Sequence, residues 1–331
     1  MNDITIITAA EASLNGIRQQ ITRDVIRVAM SKYAERTVEA YTTYLNRFLD
    51  WCAETGNSRF DAITVALFLV EMEESGMGAS SLNTCISILK AIAEKAWLAH
   101  RLSPDEKDRI LSIDLYKQVE SHTPTWLTAE QVTAIYNHIK SGGESEARTA
   151  VDMLVFALMV GCGLRISEVA DLDFKDMTTY AGHPALSIRD SKGGKSRHAI
   201  MTDIARDAVT NWLTVSRITS GKLVRSVHRS GSIQPKGVSR QGLHKLVKRI
   251  TADAHANVPE LKIVHSMEDG LAAHNLRRTY ALLLALKGVP LETIQKLLGH
   301  ASLTTTRRYL GNHDGIEPFI EMMNILEGVI K

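Results

Sequence analysis

The run TAVDMLVFALMVGCG, residues 149–163, constrains the fold more than any other stretch of the chain. Asp152 is its one charged residue, and apolar side chains would cover every side of a helix formed here. Such a helix has to be surrounded by other elements, because a surface helix would carry a polar face. The run is also shorter than the roughly 18 residues that cross a bilayer. It therefore predicts a buried helix, broken by glycines, in a globular domain.

The region before this run is predicted to be entirely helical. From Thr37, TVEAYTTYLNRFLDWCAE repeats apolar residues at three-and-four spacing. AITVALFLVEMEE and SSLNTCISILKAIAEKAWLAH follow, the second with expected helix caps at Ser80 or Ser81. DEKDRILSIDLYKQV continues the helical pattern. We interpret residues 1–24 as a short arm and residues 25–122 as a helical domain.

A domain boundary is predicted shortly before residue 126. Pro124 disfavours helix in its neighbour. Thr128 and Gln131 have the spacing of a capping box, which starts a new helix. The second domain is therefore expected to occupy residues 126–314.

The second domain is predicted to contain a small β-structure among its helices. ALSIRD and SRHAIM flank SKGGK, a pattern that indicates a β-hairpin around a Gly-Gly turn. Helices are expected from Ser239 onward, across NLRRTYALLLALKG and across LETIQKLLGH. The tail, 315–331, has apolar residues along one helical face. The fold class is thus mainly α with a small β-hairpin or sheet, in two domains.

Charge and cysteine content narrow the functional classes only slightly. Residues 1–120 hold 13 Lys and Arg against 17 Asp and Glu, whereas the remainder holds 26 against 20. This mildly basic second part is compatible with a phosphate-bearing partner. The three cysteines are widely spaced and indicate buried thiols in a reducing cytoplasm. The N-terminus, MNDITIITAA, lacks the basic segment of a secretory signal.

Two segments place arginines at the ends of buried helices. Arg165 follows the glycines of GCGLRISEV, and its simplest partner is Glu168, three residues on. In AHNLRRTYALLL, His274 and Arg277 share a face at the mouth of a buried helix, a position that suits an anion. Alternatively, His274 caps that helix and Arg277 is exposed. Both interpretations stay open on these segments alone.

Two further segments carry candidate catalytic groups. Lys192 and Lys195 lie at the tip of the predicted hairpin, where a solvated basic turn is the ordinary interpretation. In LETIQKLLGHASLTTTRRYL, His300 stands nine residues before Tyr309. That stretch is typical of a plain helical hairpin, and also of a helix-turn-helix with Gly299 in the turn and its threonines facing DNA. A tyrosine nucleophile is the third possibility.

Together these groups favour phosphoryl transfer. Arginine forks bind phosphate oxygens and neutralise the charge that grows on a pentacoordinate phosphorus. A phenol, with a pKa near 10, attacks well only beside cations and a proton acceptor. A lysine can protonate the departing alkoxide. Such a set requires no metal or nucleotide cofactor, and no thiol or carboxylate stands at zinc-ligand spacing near the two histidines.

With these residues the chain resembles the tyrosine recombinases, the phage integrase family of DNA-breaking and rejoining enzymes. GCGLRISEVADL resembles the first-arginine segment of that family, and SKGGKSR resembles its lysine hairpin. AHNLRRTYA resembles its H-x-x-R segment, and LLGHASLTTTRRY the segment that ends in the nucleophile. The implied fold is a helical SAM-like core-binding domain followed by a mixed α/β catalytic domain.

The resemblance implies a role for each member of the set. The implied catalytic residues are Arg165, Lys192, His274, Arg277, His300 and Tyr309. The tyrosine would attack the scissile phosphate and leave a 3′-phosphotyrosyl link with a free 5′-hydroxyl. The two arginines would bind the non-bridging oxygens, assisted by His300, while His274 would take the tyrosine proton. Lys192, in preference to Lys195, would be the general acid, and Glu168 would orient the site.

The resemblance also implies partners and a place of action. Two domains would close as a C-shaped clamp around double-stranded DNA at inverted-repeat core sites. A homo-tetramer would exchange strands between two duplexes through a Holliday junction, with the tail 315–331 docked in a neighbouring subunit or packed on its own. Accessory DNA-bending proteins would be further partners. The arm 1–24 is too short for the arm-binding domain of many integrases, and the expected location is cytoplasmic, at the nucleoid, without a membrane partner.

Three other functions are weighed against this one. A telomere resolvase or type IB topoisomerase would use the same chemistry without pairing two sites. A helix-turn-helix regulator would bind DNA without catalysis and would not need the tyrosine that follows His300. A metal-dependent nuclease would need a cluster of carboxylates, which the sequence does not offer near these segments.

Overall fold

The computed structural model describes residues 15–117, 126–143, 145–189, 196–262, 264, 267–300 and 302–310. By its internal contacts the chain divides into two compact units, Met1–Ser121 and His122–Lys331. Each unit has a hydrophobic core of its own. The finer division into an arm, two domains and a tail stays a prediction, and the tail 315–331 lies outside the described residues.

In residues 15–117, the described part of the first unit, all secondary structure is helical, as the apolar spacing predicts. Its helices are α1 (Asn15–Gln20), α2 (Arg23–Met30), α3 (Glu35–Thr55), α4 (Ala62–Glu74), α5 (Ala79–Leu98) and α6 (Pro104–Leu111). Helix α5 packs against α2, α3, α4 and α6. The rings of Phe48, Phe60 and Phe68 meet edge to face in this core. The buried cysteines of this unit, Cys52 and Cys85, are free thiols, as expected.

The expected serine caps of α5 are wrong. The helix begins at Ala79, and Gly78, in an extended backbone conformation, is its N-cap residue. Ser80 and Ser81 therefore lie inside the first turn. Glycine is among the residues found at N-cap positions, although it has no side chain to accept from the first N–H groups of the helix.

Helix α6 is shorter than the helix that the sequence pattern predicts there. Helix α6 ends at Leu111, and residues 113–117 have no helical structure. Side chains of α5 supply the hydrogen bonds of this segment: Asn83 bonds both the N–H and the carbonyl of Tyr116, at 2.8 and 2.9 Å. Lys90 donates to the carbonyl of Ile113 at 2.7 Å. These bonds hold the segment against α5 and satisfy backbone groups that a helix would otherwise pair.

The second unit mixes helices with two small sheets. Its elements are α7 (Ala129–Ser141), α8 (Glu146–Cys162), α9 (Ile166–Asp171), β1 (Met177–Tyr180), β2 (His183–Ile188), β3 (Arg197–Ile200), α10 (Asp203–Ser216), β4 (Arg225–Val227), β5 (Ile233–Gly237), α11 (Arg240–Asn257), α12 (Ala273–Leu286), α13 (Leu291–Leu298) and α14 (Leu303–Leu310). Short 3₁₀ turns precede β1 and follow α11.

The buried helix and its neighbours α7, α11 and α12 follow the sequence prediction, whereas α9 and α10 were not predicted. Helix α8 is buried almost throughout, and α7, α9, α10, α11 and α12 pack around it. The capping box at the start of α7 is present. Thr128 Oγ1 accepts from the N–H of Gln131 at 3.2 Å, and Gln131 Oε1 accepts from the N–H of Thr128 at 2.9 Å. Helix α11 was expected from Ser239 onward; it begins at Arg240, and Ser239 is its N-cap residue.

The predicted hairpin is part of a larger sheet. Strands β2 and β3 of the hairpin pair antiparallel from Ala185↔Ile200 to Ile188↔Arg197. The tip of the hairpin, residues 190–195, lies outside the described residues. Strand β1 adds a third, antiparallel strand, and β4 pairs with β5 in a second sheet. No helix in the described part of the chain is long and apolar enough to span a bilayer.

Candidate active site

A sharp turn at Gly163 ends α8 two residues before Arg165. Gly163 has a φ of 60°, in the left-handed region, and a Cβ there would lie 2.3 Å from a ring carbon of Tyr280. Both the conformation and the close ring require glycine. The chain turns at once into α9, whose N-cap residue is Arg165. Its side chain is 41% exposed, so the guanidinium remains accessible from solvent.

The carboxylate of Glu168, in α9, gathers three arginines. It accepts from the backbone N–H and the Nη1 of Arg165 at 2.7 and 2.8 Å. Arg197, the first residue of β3, forms a two-pronged pair with the same carboxylate, with both N–O distances at 2.9 Å. Nη1 of Arg277 lies 3.5 Å from it. The predicted Arg165–Glu168 ion pair is therefore present, as one branch of a larger cluster.

The C-terminal end of α13 joins the same cluster. Successive carbonyls there each accept from a different arginine: Leu297 from Arg197 Nε at 2.9 Å, Leu298 from Arg277 Nη2 at 2.5 Å, and Gly299 from Arg165 Nη2 at 3.1 Å. The last carbonyls of a helix have no partner within it and form its negative end, which attracts cations. Gly299 ends the helix with a φ of 65°. The arginines thus fix the backbone that leads directly into His300.

Arg277 is buried, which excludes the interpretation of an exposed arginine. Its side chain is 1% exposed, and Nη1 donates to the carbonyl of Gly163 at 2.7 Å. His274 lies in the first turn of α12 and is not its N-cap residue, which is Ala272.

Both histidines of the set are held neutral. Burial, followed by the positive charges of Arg277 and Arg165, lowers the pKa of His300 to about 4. Loss of solvation, followed by the charges of Arg278 and Arg277, likewise lowers the pKa of His274 to about 4. His300 is 8% exposed, and its Nδ1 lies 3.0 Å from the hydroxyl of Thr306.

We predict that the two rings stay neutral in the DNA-free protein as the pH falls below 6.5, their ordinary pKa value. The unfolded chain takes up protons there while the folded chain does not, so stability should be lost as the pH falls from 6.5 toward 4. Imidazole ¹⁵N shifts, assigned with His274→Gln and His300→Gln, would measure both pKa values. A ring that titrates near its ordinary value would contradict the prediction.

The sequence reasoning missed Arg197. A clue in the sequence was the position of this arginine at the end of SKGGKSR, where it starts a strand in which Ala199 is buried. Lys192 and Lys195 lie outside the described residues. The backbone of Tyr309 belongs to α14, and its side chain lies outside the described residues. The structure therefore brings together the two predicted arginines, the two histidines and Glu168.

The chemistry of this cluster suits a phosphate. Three guanidinium groups share one carboxylate, so the cluster carries net positive charge beside two neutral imidazoles. Arginine matches phosphate oxygens in geometry and charge. Within the described residues, no group of three or more His, Cys, Asp or Glu side chains is arranged to hold a metal ion.

Comparison with known proteins decides the family. A family model described as "Phage integrase family" matches residues 125–315, and one described as "Phage integrase, N-terminal SAM-like domain" matches residues 18–97. The chain belongs to the phage integrase family. The predicted family, the two-part fold and the enzyme class of tyrosine recombinases are thereby confirmed.

Two proteins of similar sequence match most of the chain. Tyrosine recombinase XerD of Bifidobacterium longum is 26% identical over 318 residues, covering 93% of this chain and 96% of that protein. Tyrosine recombinase XerA of Pyrococcus furiosus is 27% identical over 325 residues, covering 95% and 99%.

Solved structures share the fold. XerH site-specific recombinase, in a post-cleavage complex with palindromic difH substrate, matches with a TM-score of 0.69 at 20% identity, over 97% of this chain and 99% of that one. A lambda integrase dimer bound to a COC′ core site matches with a TM-score of 0.63 at 18% identity, over 90% and 77%.

Proposed function

We propose that the protein is a site-specific recombinase that cleaves and rejoins DNA through a 3′-phosphotyrosyl intermediate. The observation that carries the proposal is the cluster of Arg165, Arg197 and Arg277 around Glu168. These arginines also bond the carbonyls at the end of α13, immediately before His300. Helix α14, with Tyr309 in its last turn, follows directly. The relatives named tyrosine recombinases support the same chemistry.

In the proposed cleavage step, the phenolic oxygen of Tyr309 forms a bond to phosphorus and the bond to the 5′ oxygen breaks. The phenol proton passes to His274, and Lys192, outside the described residues, gives a proton to the departing 5′ oxygen. Arg165 and Arg277 bind the non-bridging oxygens and neutralise the charge of the transition state. Rejoining is the reverse reaction with a 5′-hydroxyl from the partner strand.

Phosphate binding itself would prepare the histidines. A nearby anion favours the charged form of an imidazole, so the low pKa values of His274 and His300 would rise when the scissile phosphate enters. His274 then becomes a better proton acceptor at the moment it is needed. Glu168 keeps the arginines oriented without touching the substrate.

The proposed assembly is a homo-tetramer that pairs two duplexes at inverted-repeat core sites and exchanges strands through a Holliday junction. The tail 315–331 would dock in a neighbouring subunit, and accessory DNA-bending proteins would set direction. Two of the similar structures are described as recombinases bound to their DNA sites, which supports DNA as the partner. The place of action would be the nucleoid.

A trapping experiment tests this proposal. Duplex DNA from the regions flanking the gene, nicked beside candidate inverted repeats, is incubated with the protein in EDTA and separated on denaturing gels. A label at the 5′ end of the cleaved strand should migrate with the protein, because the 3′-phosphotyrosyl bond joins the protein to that fragment. A label on the released 3′ fragment should migrate as free DNA. Recombinant products should require two sites, and relaxation of supercoils from single sites would favour a topoisomerase.

A helix-turn-helix regulator is the weaker alternative. Helices α13 and α14 do form a helical pair joined at Gly299. However, the carbonyls at that junction are bound by Arg165, Arg197 and Arg277, an arrangement that reading DNA does not require. Retarded complexes on native gels without any covalent adduct would favour the regulator.

A further inference from the structure

The three threonines before Tyr309 do not share one environment. In LTTTRRYL, Thr304 and Thr305 are exposed, whereas Thr306 is 0% exposed. An interpretation in which all the threonines face DNA therefore fails for the third. Thr306 points into the protein from the helix that carries Tyr309, three residues before it.

The buried hydroxyl meets the histidine of the site. Thr306 Oγ1 lies 3.0 Å from Nδ1 of His300, and both groups are buried. Within the described part of the chain, this is the one hydrogen bond of that hydroxyl. A buried hydroxyl proton needs an acceptor, so the hydroxyl donates to Nδ1. Nδ1 is then unprotonated, and the proton of the neutral ring lies on Nε2.

The backbone of the histidine is fixed as well. The N–H of His300 donates to the carbonyl of Gln295 at 3.1 Å, and Nε2 of the Gln295 side chain donates to the carbonyl of His300 at 3.0 Å. The bond from Thr306 to Nδ1 adds a restraint on the rotation of the imidazole. A 180° flip of the ring would put Cδ2 in the place of Nδ1 and Cε1 in the place of Nε2, and the bond to Thr306 would be lost.

We propose that Thr306 is a positioning residue for strand cleavage, which holds His300 as the tautomer that donates from Nε2 to a non-bridging oxygen of the scissile phosphate. The inference rests on the proposed function and extends it. In the opposite tautomer, Nε2 would present a lone pair to an oxygen that carries negative charge. The same bond links His300 to α14, so it fixes the spacing between the histidine and the backbone of Tyr309.

Neutrality of the ring makes the tautomer matter. A doubly protonated imidazole would donate from both nitrogens whatever its partner. In the DNA-free protein, burial and the neighbouring arginines hold the pKa of His300 at about 4, so the ring is neutral near pH 7 when it meets the phosphate. Thr306 then decides which nitrogen carries the proton.

Replacing Thr306 with valine keeps the branched shape and removes the hydroxyl. Cleavage of the nicked duplex should slow by about 10-fold to 100-fold, the usual effect of losing a group that orients a reacting one. Thr306→Ser, which keeps the hydroxyl, should restore most of the rate. The matched control is Thr251→Val: Thr251 is also 0% exposed, and its hydroxyl bonds Val247 and Leu271 in a different part of the unit. That variant should lower the unfolding temperature without slowing cleavage by the folded protein.

A double-mutant cycle separates positioning from packing. If Thr306 acts through His300, then Thr306→Val should cause no further loss of cleavage rate in a His300→Ala background. A packing role would give an additional loss there and would overturn the inference. Native-gel retardation and thermal unfolding confirm that each variant is folded and binds DNA.

The tautomer can be measured without any variant. Imidazole ¹⁵N shifts of the wild-type protein near pH 7 should report His300 with its proton on Nε2, and Thr306→Val should shift this balance toward Nδ1. A wild-type ring protonated on Nδ1 would overturn the inference. So would an adduct formed by Thr306→Val at the wild-type rate, whereas absence of any adduct from the wild-type protein would instead contradict the proposed function.

Discussion

Replacing Tyr309 with phenylalanine is expected to abolish covalent attachment to DNA while leaving DNA binding intact. Phenylalanine keeps the ring and removes only the oxygen that would bond to phosphorus. Loss of a nucleophile typically costs factors of about 10⁴ or more in rate. The cationic cluster on Glu168 stays complete in this variant, so its attraction for the phosphate should be unchanged.

Denaturing and native gels on the same nicked duplex measure both effects. Adduct should be absent from the variant on the denaturing gel, and retarded complexes should persist at wild-type protein concentrations on the native gel. Tyr180→Phe is a matched control, because Tyr180 is exposed on β1 and its ring can still stack on His198. An adduct from the Tyr309 variant would assign the nucleophile to another residue and sink the proposed mechanism.

Replacing Glu168 with glutamine should be the most damaging change outside the reacting groups. Glutamine keeps the shape but removes the one carboxylate that Arg165, Arg197 and Arg277 share. The side chain is 11% exposed, and removing one partner of a buried ion pair costs about 3–5 kcal/mol of unfolding free energy. Cleavage should also fall, since the arginines lose the group that orients them.

The effect should depend on pH with a definite sign. Burial alone would raise the pKa of Glu168, but hydrogen bonds and charge from Arg197, with the Arg165 N–H and the Arg277 charge, hold it below 4.5. A carboxyl whose folded pKa is lowered stabilises the protein fully above 4.5 and loses that contribution as the pH falls through the lowered value. The difference between wild type and Glu168→Gln should therefore be largest near pH 7 and shrink in acid.

Chemical unfolding of both proteins at pH 7 and below pH 4.5 checks this prediction. The control is Glu292→Gln, an exposed glutamate in the first turn of α13, for which about 0.5 kcal/mol is expected from the helix dipole. Equal losses from the two substitutions would mean that Glu168 is not the shared counter-ion of the arginines.

Several elements could be predicted because their causes are local. Helix α8 is apolar on every side, and Thr128 with Gln131 defines the start of α7, so spacing along the chain was sufficient. Strands β1, β4 and β5 were missed because they are short and mostly without buried faces, which leaves no alternating pattern. The end of α6 was misjudged because side chains of α5, distant in sequence, supply the hydrogen bonds that replace a further helical turn.

The same division holds for the candidate site. The order and spacing of Arg165, His274, Arg277, His300 and Tyr309 are properties of the sequence, and the family resemblance rests on them. The sequence by itself therefore determined the family and the identity of most candidate residues. Only the tertiary structure decided that Arg197 joins the site, that Arg277 is buried, and that Thr306 bonds His300. The physical reason is distance along the chain. Arg165 bonds the Gly299 carbonyl 134 residues away and Arg197 bonds the Leu297 carbonyl 100 residues away. Sequence periodicity indicates only contacts between residues one or two helical turns apart.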